Sequence, residues 1–304
     1  MLPAEVTEII GRTGELVTEQ YIFADLGADL AALLTARAAA GRYSTVDSPE
    51  TLGRLVTEDL QSVNGDRHLR LKYSAEPIPA DPEAASLAWL EREAKRSLGG
   101  VGRVEWQPGN VGYLELRPIL FPPSMSGPAV TAAMQLVAGT DALIIDLRRN
   151  VGGDPSMVAL ICGYLLDEPT LLFTMQHRDE ADRQSWSLPY VPGDRFGGTK
   201  PLYLLTSSAT FSGAEELCYD LQQHGRATIV GERTGGGAHP RVAHTVHPHL
   251  EVTVPVGRPV HPATGTNWEG TGIVPDIPVP AADALAAAHE HALHTLHAET
   301  PTAA

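Results

Sequence analysis

The sequence is poor in cysteine, in aromatic residues and in basic charge, and it contains no long apolar run. Two of its 304 residues are cysteines, Cys162 and Cys218, and so small a number excludes a disulfide framework and a cysteine-rich zinc site. Both lie in apolar surroundings and are expected to be small buried side chains. No apolar run reaches the roughly 18–20 residues that a membrane-spanning helix needs, so no membrane partner is expected.

Acidic residues outnumber basic residues by 37 to 22, which gives a formal net charge of −15. Phosphate contacts require clustered Lys and Arg, so no nucleic-acid partner is expected. Anionic membrane surfaces would also repel such a chain. The first residues lack a basic stretch followed by an apolar one, a pattern that predicts no signal peptide and a cytoplasmic location.

The first part of the chain carries apolar residues at helical spacing, beginning with Val6, Ile9 and Ile10. Ser48 followed by Pro49 is typical of a helix start, because a serine caps the helix and a proline suits its first turn. We therefore predict an N-terminal helical subdomain over residues 1–66.

Strand and helix signals alternate over the rest of the chain, which predicts an α/β core over residues 67–300. Residues 142–147 form an almost continuous apolar run, as expected of a central strand that is covered on both faces. Residues 111–116 and 202–205 are two further strand candidates. A C-terminal helix is expected over residues 281–297.

The segment DLRRNVGGD, residues 146–154, joins a buried strand to a helix. Its two adjacent glycines, Gly152 and Gly153, permit unusual backbone angles and a close approach of another chain. N–H groups at the start of a helix can bind an oxyanion or a phosphate. A tight turn without any ligand is the alternative interpretation.

The segment TSSATFSGAEE, residues 206–216, is a second junction between a strand and a helix. A serine here can present its hydroxyl at the end of the sheet, beside the N–H groups of the helix start. This is the arrangement of a nucleophile elbow, although the local GxSxG pattern is absent. Helix capping by Thr210 or Ser212 is the alternative interpretation.

The segment GERTGGGAHP, residues 231–240, contains three consecutive glycines. It is not a Walker loop, because no Gly-Lys-Ser or Gly-Lys-Thr follows. A flexible hairpin is the simplest interpretation of this segment taken alone.

Taken together, these segments resemble the C-terminal processing, or tail-specific, serine peptidases. The resemblance is closest to the branch that contains the tricorn core protease and the repeats of interphotoreceptor retinoid-binding protein. It rests on the early helical region, on the stretch Asp66-Arg67-His68-Leu69-Arg70, and on four motifs in the expected order: DLRRNVGGD, TSSATFSGAEE, GERTGGGAHP and GTGIVPDIPV. It implies a crotonase-like α/β core with an N-terminal helical subdomain.

The resemblance implies that Ser212 is a nucleophile. The N–H groups of Gly213 and of Gly152 or Gly153 would form its oxyanion hole. The two strand-to-helix junctions would then meet at the ends of neighbouring strands, where ligand sites of open α/β sheets are found.

The branches of this family differ in their general base. One branch places a Lys in the glycine-rich loop, but the matching position here is Gly237 and the loop contains no Lys. The tricorn-like branch uses a His and a Glu, and the matching residues are His68 and Glu269. A neutral His can remove the hydroxyl proton while a carboxylate fixes its tautomer. His239, in the glycine-rich loop, is the competing base.

The function expected from these residues is a serine peptidase that acts on peptides. The alternative is a member of the family that binds or transforms a hydrophobic small molecule, with Phe121, Met125 and Trp186 as candidate pocket residues. Fold does not fix function, so both hypotheses stand at this point. A homo-oligomer is left open.

A histidine-rich segment raises the question of a metal ion. It contains His244, His247, His249 and His261. No HExxH helix accompanies these residues, so we expect solvated or loop histidines and no metal. No nucleotide loop is present either, and no cofactor is expected.

Overall fold

The computed structural model describes residues 1–299. Its helices are α1 (Pro3–Gln20), α2 (Ala24–Ala39), α3 (Pro49–Gln61), α4 (Pro82–Arg96), α5 (Pro123–Val137), α6 (Pro155–Leu165), α7 (Gly213–Gln223) and α8 (Ala284–Glu299). Its strands are β1 (Arg70–Tyr73), β2 (Val101–Gln107), β3 (Val111–Leu116), β4 (Ala142–Asp146), β5 (Leu171–His177), β6 (Arg183–Trp186), β7 (Leu202–Thr206), β8 (Thr228–Gly231), β9 (Arg241–His247), β10 (Leu250–Pro255), β11 (Gly257–Val260) and β12 (Ile277–Pro278).

The chain forms two compact units whose segments alternate along the sequence. The first, called the helical unit, comprises Met1–Ser86, Met175–Arg183 and Gly237–Pro259. The second, called the core unit, comprises Leu87–Thr174, Gln184–Gly236 and the residues from Val260 onward. The division of the sequence into residues 1–66 and 67–300 stays a prediction, and its last residue, 300, lies outside the described part of the chain.

The helical unit contains α1, α2, α3 and the antiparallel sheet β1-β10-β9. The apolar residues of α1 recur at helical spacing and are buried along one face, as predicted from Val6, Ile9 and Ile10. They share one core with residues of α3, β1 and β10. The predicted start of α3 is confirmed: the Ser48 side chain accepts a hydrogen bond from the N–H of Thr51 at 3.3 Å.

The core unit is built on a six-stranded sheet in the order β12-β8-β7-β4-β3-β2. Its neighbouring strands are parallel except for β2, which runs antiparallel to β3. Every residue of β4 is buried, which confirms the central strand expected from the apolar run. On one face, Ala284, Ala288 and Ala292 of α8 share a core with Ile144 and Tyr203 of the sheet. The predicted α/β fold is therefore confirmed.

Local hydrogen bonds fix the starts of two helices of the core unit. Helix α6 begins at Pro155 because Asp154 caps it, accepting a hydrogen bond from the N–H of Ser156 at 2.8 Å. Helix α8 begins at Ala284 and not at residue 281, because a turn precedes it in which the N–H of Asp283 donates to the carbonyl of Pro280. None of the helices within residues 1–299 is both long enough and apolar enough to span a lipid bilayer.

Candidate active site

The turn between β4 and α6 has a backbone that only glycine adopts easily. Gly152 has φ = +119° and Gly153 has φ = +138°. A Cβ atom at Gly153 would lie 2.1 Å from the carbonyl oxygen of Leu120. The fully buried Asn150 holds the turn: its amide donates to the carbonyl of Leu116 at 3.1 Å, and its Oδ1 accepts from the N–H of Gly152 at 3.0 Å.

The turn between β7 and α7 places a serine in an unusual conformation. Ser212 immediately precedes α7 with φ = +51° and ψ = −125°. A non-glycine residue at positive φ carries local strain of about 1–3 kcal/mol, and such strain concentrates at functional sites. The Ser212 side chain is half-buried, and Ser212 occupies the N-cap position of α7. The serine therefore lies at the helix start, where the capping and the nucleophile interpretations both place it.

The two turns are in contact within the core unit. The hydroxyl of Thr210 donates to the carbonyl of Leu147 at 2.9 Å, and the hydroxyl of Ser207 donates to the carbonyl of Arg148 at 2.6 Å. The N–H of Phe211 donates to the carbonyl of Asn150 at 3.3 Å. The junctions quoted from the sequence therefore meet at the carboxyl ends of two adjacent parallel strands.

This contact brings two main-chain N–H groups close to Ser212. A Cβ built on Gly152 would lie 2.7 Å from the Cβ of Ser212, and one built on Gly213 would lie 3.0 Å from the nitrogen of Gly153. The N–H of Gly152 is bound by Asn150. Within residues 1–299, the N–H groups of Gly153 and Gly213 donate to no protein acceptor. They are available to bind an oxygen that carries negative charge.

A buried carboxylate ties the serine turn to the glycine-rich loop. Glu215 is fully buried on α7. Its Oε2 accepts from the N–H of Ser212 at 2.9 Å, and its Oε1 accepts from the N–H of Gly236 at 2.7 Å and from the hydroxyl of Thr234. The carboxylate thus holds the backbone on both sides of the helix start, which limits how far Ser212 can move.

The core behind the serine turn contains ionisable groups whose pKa is raised by burial. Burial raises the pKa of the Cys162 and Cys218 thiols well above the usual value. Both cysteines are buried, as predicted, and a raised pKa makes them poor nucleophiles. Burial also raises the pKa of the Glu216 and Asp220 carboxyls on α7. Repulsion by the charge of Asp220 adds to the increase at Glu216.

The strand end that precedes the glycine turn carries a charged group instead. Burial by itself would raise the pKa of Asp146, but hydrogen bonds from the Arg148 guanidinium and the Tyr113 hydroxyl outweigh it, so the pKa lies below its usual value. Asp146 is therefore ionised at neutral pH and fixes Arg148 at the start of the turn.

Glu269 lies in the core unit in a segment that is anchored to the glycine-rich loop. Its N–H donates to Oδ1 of Asn267 at 2.9 Å, and the N–H of the next residue, Gly270, donates to the carbonyl of Gly236 at 3.0 Å. The side chain of Glu269 is half-buried. Its segment therefore belongs to the same set of loops as Ser212.

An aromatic cluster lies beside the segment of Glu269 in the core unit. The fully buried His261 packs edge-on against Tyr219 and lies 4.8 Å, ring centre to ring centre, from His224. Tyr219 also contacts Trp268, the residue before Glu269. Burial, followed by repulsion from His224, lowers the pKa of His261 to about 4. His261 is therefore neutral at physiological pH.

Both candidate bases belong to the helical unit, where each is bonded to the same carboxylate. His239 and His68 are 4% and 6% exposed. The fully buried Asp66 bonds Nδ1 of His239 through its Oδ2 at 2.8 Å, and its Oδ1 accepts from the backbone N–H of His68 at 3.0 Å. Oδ2 also accepts from the hydroxyl of Tyr21 at 3.0 Å. A carboxylate at Nδ1 of a neutral His selects the tautomer with the proton on that nitrogen.

The predicted site residues are thus distributed over both units. Ser212, Glu269 and the three glycines belong to the core unit, whereas His68 and His239 belong to the helical unit. The Ser-His-Glu arrangement and the choice between the two histidines stay predictions.

Sequence reasoning missed the roles of Glu215 and Asp66. The pattern Ser212-x-x-Glu215 is a capping-box signature and could have indicated that the Glu side chain bonds the Ser backbone. No local pattern indicates the bond between Asp66 and His239, because 173 positions separate the two residues.

Comparison with known families assigns both parts of the chain. Residues 110–279 match Peptidase family S41. Residues 1–95 match the N-terminal domain of peptidase S41 in eukaryotic IRBP. The two matches together include helices α1 to α3 and the strands β4 and β7 with the turns that follow them.

Curated relatives carry names from the same family. A carboxyl-terminal-processing protease of Synechocystis sp. is 33% identical over 132 residues, which cover 43% of this chain and 29% of that protein. A carboxy-terminal-processing protease of Bartonella bacilliformis is 23% identical over 249 residues, which cover 78% of this chain and 53% of that protein. The chain thus matches only part of the length of each relative.

Solved structures share the fold. The tricorn protease aligns with a TM-score of 0.64 at 12% identity, over 98% of this chain and 37% of that one. The photosystem II D1 C-terminal processing protease aligns with a TM-score of 0.52 at 15% identity, over 92% and 94%. A lipoprotein from Streptococcus agalactiae aligns with a TM-score of 0.60 at 14% identity, over 95% and 96%. Since the S41 match covers more than half of the sequence, this chain belongs to peptidase family S41.

Proposed function

We propose that this protein is a serine peptidase in which Ser212 attacks the carbonyl carbon of a peptide bond. The observation that carries the proposal is the position of Ser212, held at positive φ beside two N–H groups that bind no protein acceptor within residues 1–299. These N–H groups, of Gly153 and Gly213, would bind the oxyanion of the tetrahedral intermediate. Gly152 is the poorer donor because Asn150 already binds its N–H.

The proposed reaction needs a base that returns its proton to the leaving group. We assign this role to His68, which takes the proton of the Ser212 hydroxyl as the Oγ–C bond forms and gives it to the leaving amine as the C–N bond breaks. Glu269 orients the imidazole in this assignment. Water then attacks the acyl-enzyme. His68 takes a proton from the water as the new O–C bond forms and gives it to Oγ of Ser212 as the Oγ–C bond breaks. His239, bonded to Asp66, is the competing base.

The experiment is to label the purified chain with a fluorophosphonate and to locate the adduct by peptide mass spectrometry. We expect one adduct per chain on Ser212, because the probe needs an activated serine and a formed oxyanion hole. Ser212→Ala should remove the adduct and lower turnover of a peptide substrate by about 10⁶-fold.

Ser208→Ala is the matched control, since Ser208 is an exposed serine in the same turn. This variant should label and turn over like the wild-type chain. Equal labelling of Ser212→Ala and the wild type, or a folded wild-type chain that does not label, would contradict the proposed function.

The choice of base is tested with the same probe. We expect His68→Gln to slow labelling of Ser212 by about 10²–10⁴-fold, the usual range for a general base. We expect a much smaller effect of His239→Gln. The reverse order of the two effects would assign the base to His239.

The structure gives no support to the alternative of a hydrophobic ligand in the pocket guessed from sequence. Phe121 is fully buried, whereas Trp186 exposes 46% of its surface. A side chain as exposed as that of Trp186 does not belong to an enclosed apolar cavity, which is the kind of site that such a ligand needs.

A further inference from the structure

Helix α7 carries two buried carboxyl groups that have no hydrogen-bond partner. Glu216 is 6% exposed and Asp220 is fully buried. Within residues 1–299, Oε1 of Glu216 and both carboxyl oxygens of Asp220 meet no donor, and neither residue forms an ion pair. Buried carboxyl groups are normally bonded, and an ionised carboxylate without a partner is especially costly to bury.

The two carboxyl groups lie next to each other on one face of the helix. Glu216 and Asp220 are four positions apart, a spacing that brings Cβ atoms to within about 5–6 Å. Like charges at this spacing repel each other even on an exposed helix, and burial removes the water that would weaken the repulsion. Two protonated carboxyl groups, in contrast, carry no charge into the core.

The elements that pack against α7 contribute no positive charge to the pair. Helix α6 and strand β8 are these elements, and β8 has no titratable side chain. Three groups interact electrostatically with the pair, and all are acids or thiols: Asp154 at the start of α6, Cys162 on α6 and Cys218 on α7. Their presence favours the protonated form of the pair, because none of them can neutralise a carboxylate.

The basic and phenolic groups of this region are bonded to other partners. His224 and Arg226, which follow α7, bond main-chain carbonyls. The hydroxyls of Tyr164 on α6 and of Tyr219 on α7 bond residues outside these two helices. Burial, and for Glu216 also the charges of Asp220 and Asp154, raises the pKa of both carboxyl groups, in agreement with this environment.

The carboxyl pair is linked to the serine turn through the first turn of α7. The N–H of Glu216 donates to the carbonyl of Ser212 at 2.9 Å, and the Glu215 side chain accepts from the N–H of Ser212. Every residue of α7 from Gly213 to Leu221 is buried. The helix must therefore move to bring a charged Glu216 into water, and such a movement carries Ser212 with it.

We propose that Glu216 and Asp220 form a proton-dependent switch, in which the protonated pair holds α7 in place and loss of a proton to solvent displaces α7 together with Ser212. The step breaks one carboxyl O–H bond, releases the proton to water and leaves a carboxylate. It reverses when the pH is lowered. Its effect on the reactivity of Ser212 rests on the proposed function, whereas its effect on the fold does not.

The first test measures stability against pH. The unfolded chain loses these protons near pH 4 and the folded chain loses them at higher pH, so the pair stabilises the fold at low pH and this contribution falls as the pH rises. Glu216→Gln and Asp220→Asn keep the shape of each side chain without a proton that can be lost. We expect the melting temperature of each variant, relative to wild type, to rise by about 3 °C or more between pH 5 and pH 9.

Glu290→Gln is the matched control, since it changes an exposed glutamate on α8 of the same unit and should keep the wild-type profile. The comparison uses the change with pH, so a variant that is uniformly less stable still gives an answer. Infrared spectroscopy of the wild-type chain gives an answer without any variant: it should show protonated carboxyl groups at pH 7, where exposed carboxyls are ionised, and their absence would overturn the inference.

The second test measures how fast the fluorophosphonate labels Ser212 at each pH. We expect the labelling rate of each variant, divided by that of wild type, to rise by about threefold or more between pH 6 and pH 9, because α7 of the variants no longer moves. Parallel melting profiles in all four chains would overturn the inference. Melting profiles that separate while the labelling ratios stay constant would overturn it as well, since the pair would then titrate without moving Ser212.

Failure of the inference is distinguishable from failure of the proposed function. Labelling of Ser212 with parallel profiles would remove the switch and leave the function. A wild-type chain that labels at no pH would contradict the function, and the melting profiles would still decide whether the carboxyl pair controls α7.

Discussion

The serine turn of the core unit and the Asp66 cluster of the helical unit are both buried polar structures, but they are built from different parts of the chain. The serine turn is mostly main chain: two glycines at positive φ, a serine at positive φ, and two N–H groups that donate to no protein acceptor within residues 1–299. The Asp66 cluster is made of side chains. Asp66 bonds Tyr21 and His239, and the Tyr21 hydroxyl accepts a hydrogen bond from Asn64 at 2.5 Å.

The two structures are expected to fail in different ways. A main-chain site depends on backbone angles that only certain residues adopt, so a single added methyl group should disrupt it while many side chains around it can change. A side-chain cluster depends on each member, because loss of one leaves the others buried without partners. Substitutions in the serine turn should therefore lower peptide turnover, whereas substitutions in the Asp66 cluster should lower the free energy of unfolding.

The largest expected effect is that of Gly153→Ala. The added Cβ would collide with the Leu120 carbonyl at a φ of +138°, so the turn must shift and its N–H must leave the position proposed for the oxyanion hole. We expect peptide turnover to fall by about 10²–10³-fold, the usual cost of losing one such donor. The measurement is kcat, together with a thermal melt to confirm folding.

Gly139→Ala is the control for that variant, because nothing lies within 4 Å of a Cβ added there and its φ is not positive. It should leave kcat and the melting temperature close to wild type. A Gly153→Ala variant with wild-type kcat would contradict this difference between the two structures, since the serine turn would then not depend on its main-chain angles.

The second-largest expected effect is the loss of stability caused by Asp66→Ala. The change leaves the ring of His239, the hydroxyl of Tyr21 and the N–H of His68 without their shared acceptor. We expect the free energy of unfolding to fall by about 2–4 kcal/mol, as for a buried network that loses its acceptor. Urea unfolding followed by circular dichroism measures this value.

Asp29→Ala, an exposed change on α2, serves as its control and should alter the free energy of unfolding by less than about 0.5 kcal/mol. If both variants were equally stable, the Asp66 cluster would not hold the helical unit together, and the contrast with the serine turn would be lost.

The smallest expected effect is a pH dependence of the core unit that comes from His261. Its pKa in the folded chain is about 4, below the usual 6.5, because the ring is buried and lies beside His224. The unfolded chain therefore binds a proton between pH 6.5 and 4 that the folded chain does not bind, and stability falls as the pH drops through this window. One unit of pKa depression corresponds to about 1.4 kcal/mol.

The check is urea unfolding at several pH values for the wild type, His261→Gln and the exposed His297→Gln. The loss of stability between pH 6.5 and 4 should be smaller in His261→Gln and unchanged in His297→Gln. An identical decline in all three chains would place the acid sensitivity outside the histidine cluster.

Local sequence encodes the main-chain structures, and this is why they could be predicted. The apolar run of β4 and the glycines that follow it predicted a buried strand and a tight turn, and both are present. The Ser48 cap was predicted in the same way. Each of these features is decided by residues a few positions apart.

The contacts that could not be predicted join residues that are distant in the sequence. Asp66 bonds His239 across 173 positions, and Lys72 of β1 bonds Glu251 of β10 across 179. The periodicities of helices and strands relate residues only a few positions apart, so they do not predict such contacts. The location of the protein and the identity of the base stay predictions.

The alternation of the two units along the sequence has a consequence for how the protein is made. When a ribosome has synthesised the chain through Gly236, strands β9 and β10 do not yet exist, and β1 has no partner in its sheet. The helices at the N-terminus must wait for residues that are added late, since Lys72 pairs with Glu251 across 179 positions. Contacts of such long sequence separation close slowly and leave apolar surface exposed meanwhile. We therefore expect the apolar faces of α1, α2 and α3 to stay exposed on the nascent chain until β10 is complete.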